Sequence, residues 1–110
     1  MTINDIRDEL GLTCLQDSYG NCAVHDAYTS DLLSDVMAHA GEAEVLITIQ
    51  AHRNTVAVAS LSGASAIILC NSRPVPDDMI EAARTEKIAL FVSEKNQFTV
   101  SGMIFALLSE

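Results

Sequence analysis

Residues 44–73 read EVLITIQ (44–50), AHRN (51–54), TVAVASLSG (55–63), ASAIILC (64–70) and NSR (71–73). A β-branched run, a polar break, a run of small helix-compatible residues, a second β-rich run and a second polar break make a strand–helix–strand unit. Such a unit demands parallel pairing and a crossover. Val45 to Ile49 and Ser65 to Cys70 are almost continuously apolar, the mark of strands covered on both faces. The helix between them, from about Asn54 to Leu61, offers a small-residue surface, and Gly63 ends it. The two breaks follow the carboxyl ends of neighbouring strands, the edge at which open α/β sheets place ligands.

The same alternation continues outward. After Arg73, Pro76 opens a helix whose Asp77 and Asp78 suit the positive end of its dipole, with Met79, Ile80 and Ala83 buried. Ile88 to Val92 is a third buried strand, and Ser93 or Asn96 caps a last helix. In that helix Val100, Met103, Ile104, Leu107 and Leu108 form one stripe, with Phe98 and Phe105 beside it. It is apolar over more than half its circumference, which predicts deep burial or a subunit interface.

Upstream, Thr2 to Asp5 form a capping box for a first helix ending at Gly11, with Ile3, Ile6 and Leu10 on one face. Leu12 to Leu15 and Cys22 to His25 flank the turn formers 17–21 and read as a hairpin, as two edge strands or as irregular loop. Ser30 caps a helix starting at Asp31, stopped at Gly41, with Leu32, Leu33, Val36, Met37 and Ala40 inward and a solvated acidic face of Asp31 and Asp35. The expected fold is α/β, three layers around a mainly parallel central sheet.

At 110 residues, 49% hydrophobic and 19% charged, the chain is expected to be one ordered domain. Fifteen acidic against six basic side chains, a net charge of −9, argue against nucleic acid and membrane surfaces as partners. The amino terminus has no basic, apolar leader, and no run reaches the roughly 18 apolar residues of a membrane span, so a cytoplasmic location is expected. Cys14, Cys22 and Cys70 lack disulfide or zinc spacing.

Walker A, GxGxxG, HExxH and GxSxG patterns are absent. His25, His39 and His52 fall in different elements, and for His25 and His39 a structural or surface role outweighs a metal site. No metal, cofactor or catalytic residue is predicted. Cys70 ends a strand near Arg73 and a helix amino terminus, features that can lower a thiol pKa, against the commoner buried, inert thiol. The candidate site is His52, Arg53, Asn54, Asn71, Ser72 and Arg73, two of the four arginines with neutral donors beside helix amino termini, suited to a phosphate or carboxylate. The competing reading makes both arginines partners in surface salt bridges and the Asn and Ser residues helix and turn caps.

Residues 28–37 (YTSDLLSDVM), 47–53 (ITIQAHR) and 66–72 (AIILCNS), then Pro76 and the closing helix, resemble the DRTGG domain family. Its fold is related to the amino-terminal domain of HPr kinase/phosphorylase. The family's Asp-Arg and Thr-Gly-Gly signatures fall on His52-Arg53 and Cys70-Asn71-Ser72, so Arg53 is retained and Asn71 and Ser72 replace the glycines, as in a divergent, stand-alone member. The resemblance implies a regulatory accessory domain, usually dimeric, found elsewhere attached to phosphotransacetylases and to pyrophosphatases controlled by adenine nucleotides. It implies no kinase activity, since the P-loop domain has no counterpart. The expected function is a non-catalytic homodimer sensing a small anion, such as an adenine nucleotide, at the strand-end loops. The alternative is a ligand-free protein-interaction module that accompanies iron-hydrogenase or iron–sulfur protein systems. A small enzyme built on Cys70 or His52 is the weakest reading, because no base or orienting carboxylate lies near either in sequence.

Overall fold

In the computed structural model, which describes Met1–Glu110, the chain runs α1 (Ile3–Leu10), β1 (Thr13–Gln16), β2 (Ala27–Thr29), α2 (Leu33–His39) and β3 (Val45–Thr48). It continues with α3 (Arg53–Ser62), β4 (Ala66–Leu69), α4 (Asp77–Glu86), β5 (Ala89–Val92) and α5 (Gln97–Leu108). The five strands form one sheet in the order β1-β5-β4-β3-β2. β2 to β5 are parallel, and only β1 runs antiparallel, against β5.

Alternation along the central strands builds two cores. Val45, Ile47, Ala66, Ile68, Ala89 and Phe91 face α1 and α5. Leu46, Ile67, Leu69 and Leu90 face α2, α3 and α4. The three-layer α/β/α architecture follows, because strands wetted on neither face need helices on both. No helix is long and apolar enough to cross a membrane.

The helix ends obey local chemistry. Thr2 and Asp5 exchange capping-box hydrogen bonds at 3.2 and 2.9 Å, and Gly11 closes α1 with φ +61°. Asn96, not Ser93, caps α5, its side chain accepting from Thr99 N at 2.9 Å. Ser93 is buried and its hydroxyl accepts from Lys95 N.

Three readings change. Cys22 to His25 is not a strand: Ile3 N donates to Cys22 O and Val24 N to Met1 O, tying the segment to the start of the chain. The strand comes later, at Ala27–Thr29, because the Glu44 carboxylate takes the backbone N–H groups of His25 and Asp26 at 2.8 and 3.1 Å and aims the chain along β3. β1 and β2 are therefore edge strands at opposite ends of the sheet. α2 starts two residues after Asp31, with no side-chain cap, and its inward face narrows to Val36 and Ala40 while Leu32 is 64% exposed. Asp31 is drawn to the sheet edge instead of lying on a solvated helix face.

Strand order also shapes the candidate site. Each crossover from β2 to β5 steps to the next position with its helix on the same face, so the sheet winds in one direction. It contains no point where the order reverses, the feature that opens a crevice between diverging loops in doubly wound sheets. The carboxyl edge must be judged from its side chains.

Candidate functional site

Asp31, from the loop after β2, organises that edge. Its Oδ1 accepts from the Thr48 hydroxyl at 3.0 Å and from Ile49 N at 2.8 Å, and its Oδ2 accepts from Gln97 Nε2 at 3.0 Å. Gln50 Nε2 donates to the Asp31 carbonyl at 2.9 Å, and Gln50 N donates to the Thr48 hydroxyl at 3.1 Å. One carboxylate thereby ties the ends of β2 and β3 to the first turn of α5. Burial alone would raise its pKa, but the hydrogen bonds from Ile49, Gln97 and Thr48, aided by the Arg73 charge, hold it below the usual carboxylate range. The sequence pattern gave no sign of this role, since every side-chain partner lies at least 17 residues away in sequence.

The six residues singled out from sequence fall into four surroundings. Arg73 reaches back over the edge, its Nε donating to Ile49 O at 3.2 Å beside the Asp31 cluster. His52 is the N-cap of α3, where its Nδ1 accepts from Asn54 N at 3.0 Å. Arg53 and Asn54 line a shallow groove of about 280 Å³ between α3 and α4, with Ala57, Ala82, Thr85 and Glu86.

Asn71 and Ser72 follow β4 with φ of +62° and +49°, consecutive left-handed residues without a glycine. The backbone thus makes the bend that glycine makes most readily, at the two positions onto which the sequence resemblance would put the glycines of the DRTGG signature. Their N–H groups are already engaged, Asn71 N donating to Lys95 O at 3.0 Å and Ser72 N to Ser93 O at 2.9 Å. The amides that could have cradled an anion hold the neighbouring loop instead. Ser72 also borders a polar depression of about 310 Å³ with Gly11, Thr13, Glu94 and Lys95.

The arginines divide into two kinds. Arg7 pairs with Asp8 at 2.9 Å, and Arg84 pairs with Glu81. Arg53 and Arg73, both exposed, form no salt bridge, although acidic residues outnumber basic ones fifteen to six. That disfavours the salt-bridge reading of the strand-end arginines.

Cys70 is fully buried, and burial, reinforced by the Asp31 charge, pushes its thiol up to about 11. The thiolate needed for nucleophilic chemistry is therefore negligible at neutral pH. His25 pairs with Glu44 and His39 with Asp35, each at 3.0 Å, and no third ligand joins either pair.

No family model matches the chain, and no curated protein sequence matches it. A solved structure does: the CBS and DRTGG domains of the regulatory region of a Clostridium perfringens pyrophosphatase, complexed with its activator diadenosine tetraphosphate. It superposes with a TM-score of 0.73 over 94% of this chain, at 15% identity, and this chain spans 45% of that one. At that identity the likeness is one of fold, and at that level it bears out both the α/β/α architecture and the DRTGG resemblance.

Proposed function

We propose that this domain is a non-catalytic regulatory module, working as a homodimer, that takes a small anion at the carboxyl edge of its sheet. The supporting observation is the pair of exposed arginines without a salt bridge, Arg53 in the first turn of α3 and Arg73 in the loop after β4, beyond the carboxyl ends of the adjacent strands β3 and β4 in a chain with net charge −9. An adenine nucleotide is the ligand class favoured, because the shared fold belongs to a regulatory region solved with a dinucleotide activator. With the Asn71 and Ser72 amides engaged, recognition falls to side chains: the two guanidinium groups at the phosphates, with His52, Asn54, Asn71 and Ser72 as neutral neighbours.

Isothermal titration calorimetry with ATP, ADP, AMP and diadenosine tetraphosphate tests this reading. Wild-type protein is expected to give a saturable heat, and Arg53→Ala, Arg73→Ala double substitution to weaken it by about tenfold or more, one charged contact being worth about 1.5–3 kcal/mol. Absence of heat from the wild type with all four would overturn the ligand.

A second reading, an interaction module without a ligand, is favoured by a different observation: Phe98 and Phe105 stand 87% and 75% exposed on α5. Silence in calorimetry together with a defined oligomer or partner complex supports it.

A further inference from the structure

α5 buries Val100 and Ile104 against the sheet, which accounts for one side of the helix. The other side is not explained by the fold. Phe98, Gly102 and Phe105 recur there at i, i+4 and i+7, all exposed, with Ser101 beside them. Together with Thr29 and Gln97 they line an almost wholly apolar depression of about 470 Å³. From Gln97 to Ser109 no residue carries a charge, in a chain that is otherwise strongly acidic.

Gly102 is the informative residue. It lies inside a helix, its φ is not positive, and a Cβ added there would meet nothing within 4 Å. A helix-interior glycine costs about 1 kcal/mol relative to alanine, and the folded protomer gains nothing visible from it. What a missing side chain offers on an open surface is close approach by another backbone.

Resting on the homodimer reading above, we infer that a second copy of this chain covers this face, with α5 packed antiparallel against α5 of the partner about a two-fold axis at Ser101 and Gly102. Phe98 and Phe105 are equidistant from that point, so each Phe98 faces the partner's Phe105 in both directions, the self-complementarity an isologous interface requires. Ser101 of each helix lies against Gly102 of the other, where the absent Cβ lets the axes close.

Charge and area both favour a second copy. Two chains of −9 repel wherever their acidic surfaces meet, and α5 is an uncharged stretch on which they can touch. Four phenylalanines at about 150–250 Å² each contribute roughly 600–1,000 Å². A specific interface buries roughly 1,200–2,000 Å² in total, so Gln97, Ala106, Ser109 and the open edge of β2 need supply only the remainder.

Sedimentation equilibrium of the full chain at micromolar concentration is the test, with three variants. Gly102→Glu sets two carboxylates across the axis at a position where the protomer has room. Phe98→Ser with Phe105→Ser removes the anchors without touching the core. Leu61→Ser, at a residue 75% exposed on α3 in another layer, is the control. Wild type and the control are expected at twice 11.8 kDa. Both α5 variants are expected to be monomeric, or weakened about a hundredfold in dimer affinity, with the circular-dichroism helix signal retained. If Gly102→Glu fails to fold, the phenylalanine pair decides. A dimeric wild type whose affinity the α5 variants leave unchanged overturns this interface while the homodimer stands; a monomeric wild type overturns both.

Discussion

Asp31 shows what one side chain can do that its neighbours in sequence do not announce. A carboxylate accepting from a hydroxyl, a backbone N–H and a side-chain amide is satisfied only when ionised. Asp31→Asn keeps the shape but turns an NH₂ group toward a donor, and is expected to cost about 1–3 kcal/mol at neutral pH. Because the folded-state pKa is depressed, the wild type's advantage is complete above the ordinary carboxylate range, about pH 4, and is lost as pH falls through the folded value. Urea denaturation of both proteins from pH 7 to pH 3 is therefore expected to show a gap at neutral pH that narrows at the acid end. A constant gap would mean that the charge on Asp31 is not what the network uses. At this scale the sequence was least legible: residues 30–35 look like a capped amphipathic helix start, and the partners that claim Asp31 lie on β3, after it and on α5.

Elements were read well where a period decides them and badly where a distant partner does. The three buried strands and the helices α1 and α3 emerge from apolar alternation, caps and stops within a residue or two of the observed bounds, and Pro76 and Asn96 mark where α4 and α5 begin. β2 was missed because Glu44, not the local pattern of Cys22 to His25, fixes where the chain joins the sheet. β1 is held in a comparable way. Buried Gln16 donates from its Nε2 to the carbonyl of Ile88 and, at 3.4 Å, to that of Ala83, while its Oε1 accepts from Ser18 N at 2.8 Å. The ladder with β5 is irregular between Cys14 and Gln16, so this side chain does part of the pairing. Gln16→Leu retains bulk but takes the side-chain donor from the Ile88 carbonyl and the acceptor from Ser18 N, the Ala83 carbonyl keeping its bond from Ile88 N, and a loss of about 1–3 kcal/mol in thermal or urea melts is expected. Hydrogen exchange should register that loss first at the amides of β1.

For the molecule as a whole, the layers were foreseeable and the sheet's winding was not, because strand order is set by long-range packing that apolar runs do not encode. The six candidate residues lie just beyond the carboxyl ends of β3 and β4, Arg53 and Asn54 already in the first turn of α3, and a sheet without a reversal gives them no common crevice. The interior can be probed through its thiols. Cys14 and Cys22 are exposed, and Cys70 lies wholly within the core. A disulfide-exchange reagent is expected to react quickly with two thiols per native chain and with the third only after unfolding, so that the slow phase tracks opening of the core. Fast reaction of all three would contradict the packing around β4.

The bend at Asn71 and Ser72 also bears on how any ligand would be captured. Both amides are spoken for by the loop after β5, so this part of the edge is set before a ligand arrives and has little left to freeze. Recognition there would proceed with a small loss of chain freedom and a modest change in heat capacity, as at a preorganised surface, in contrast to a flap that folds over its guest.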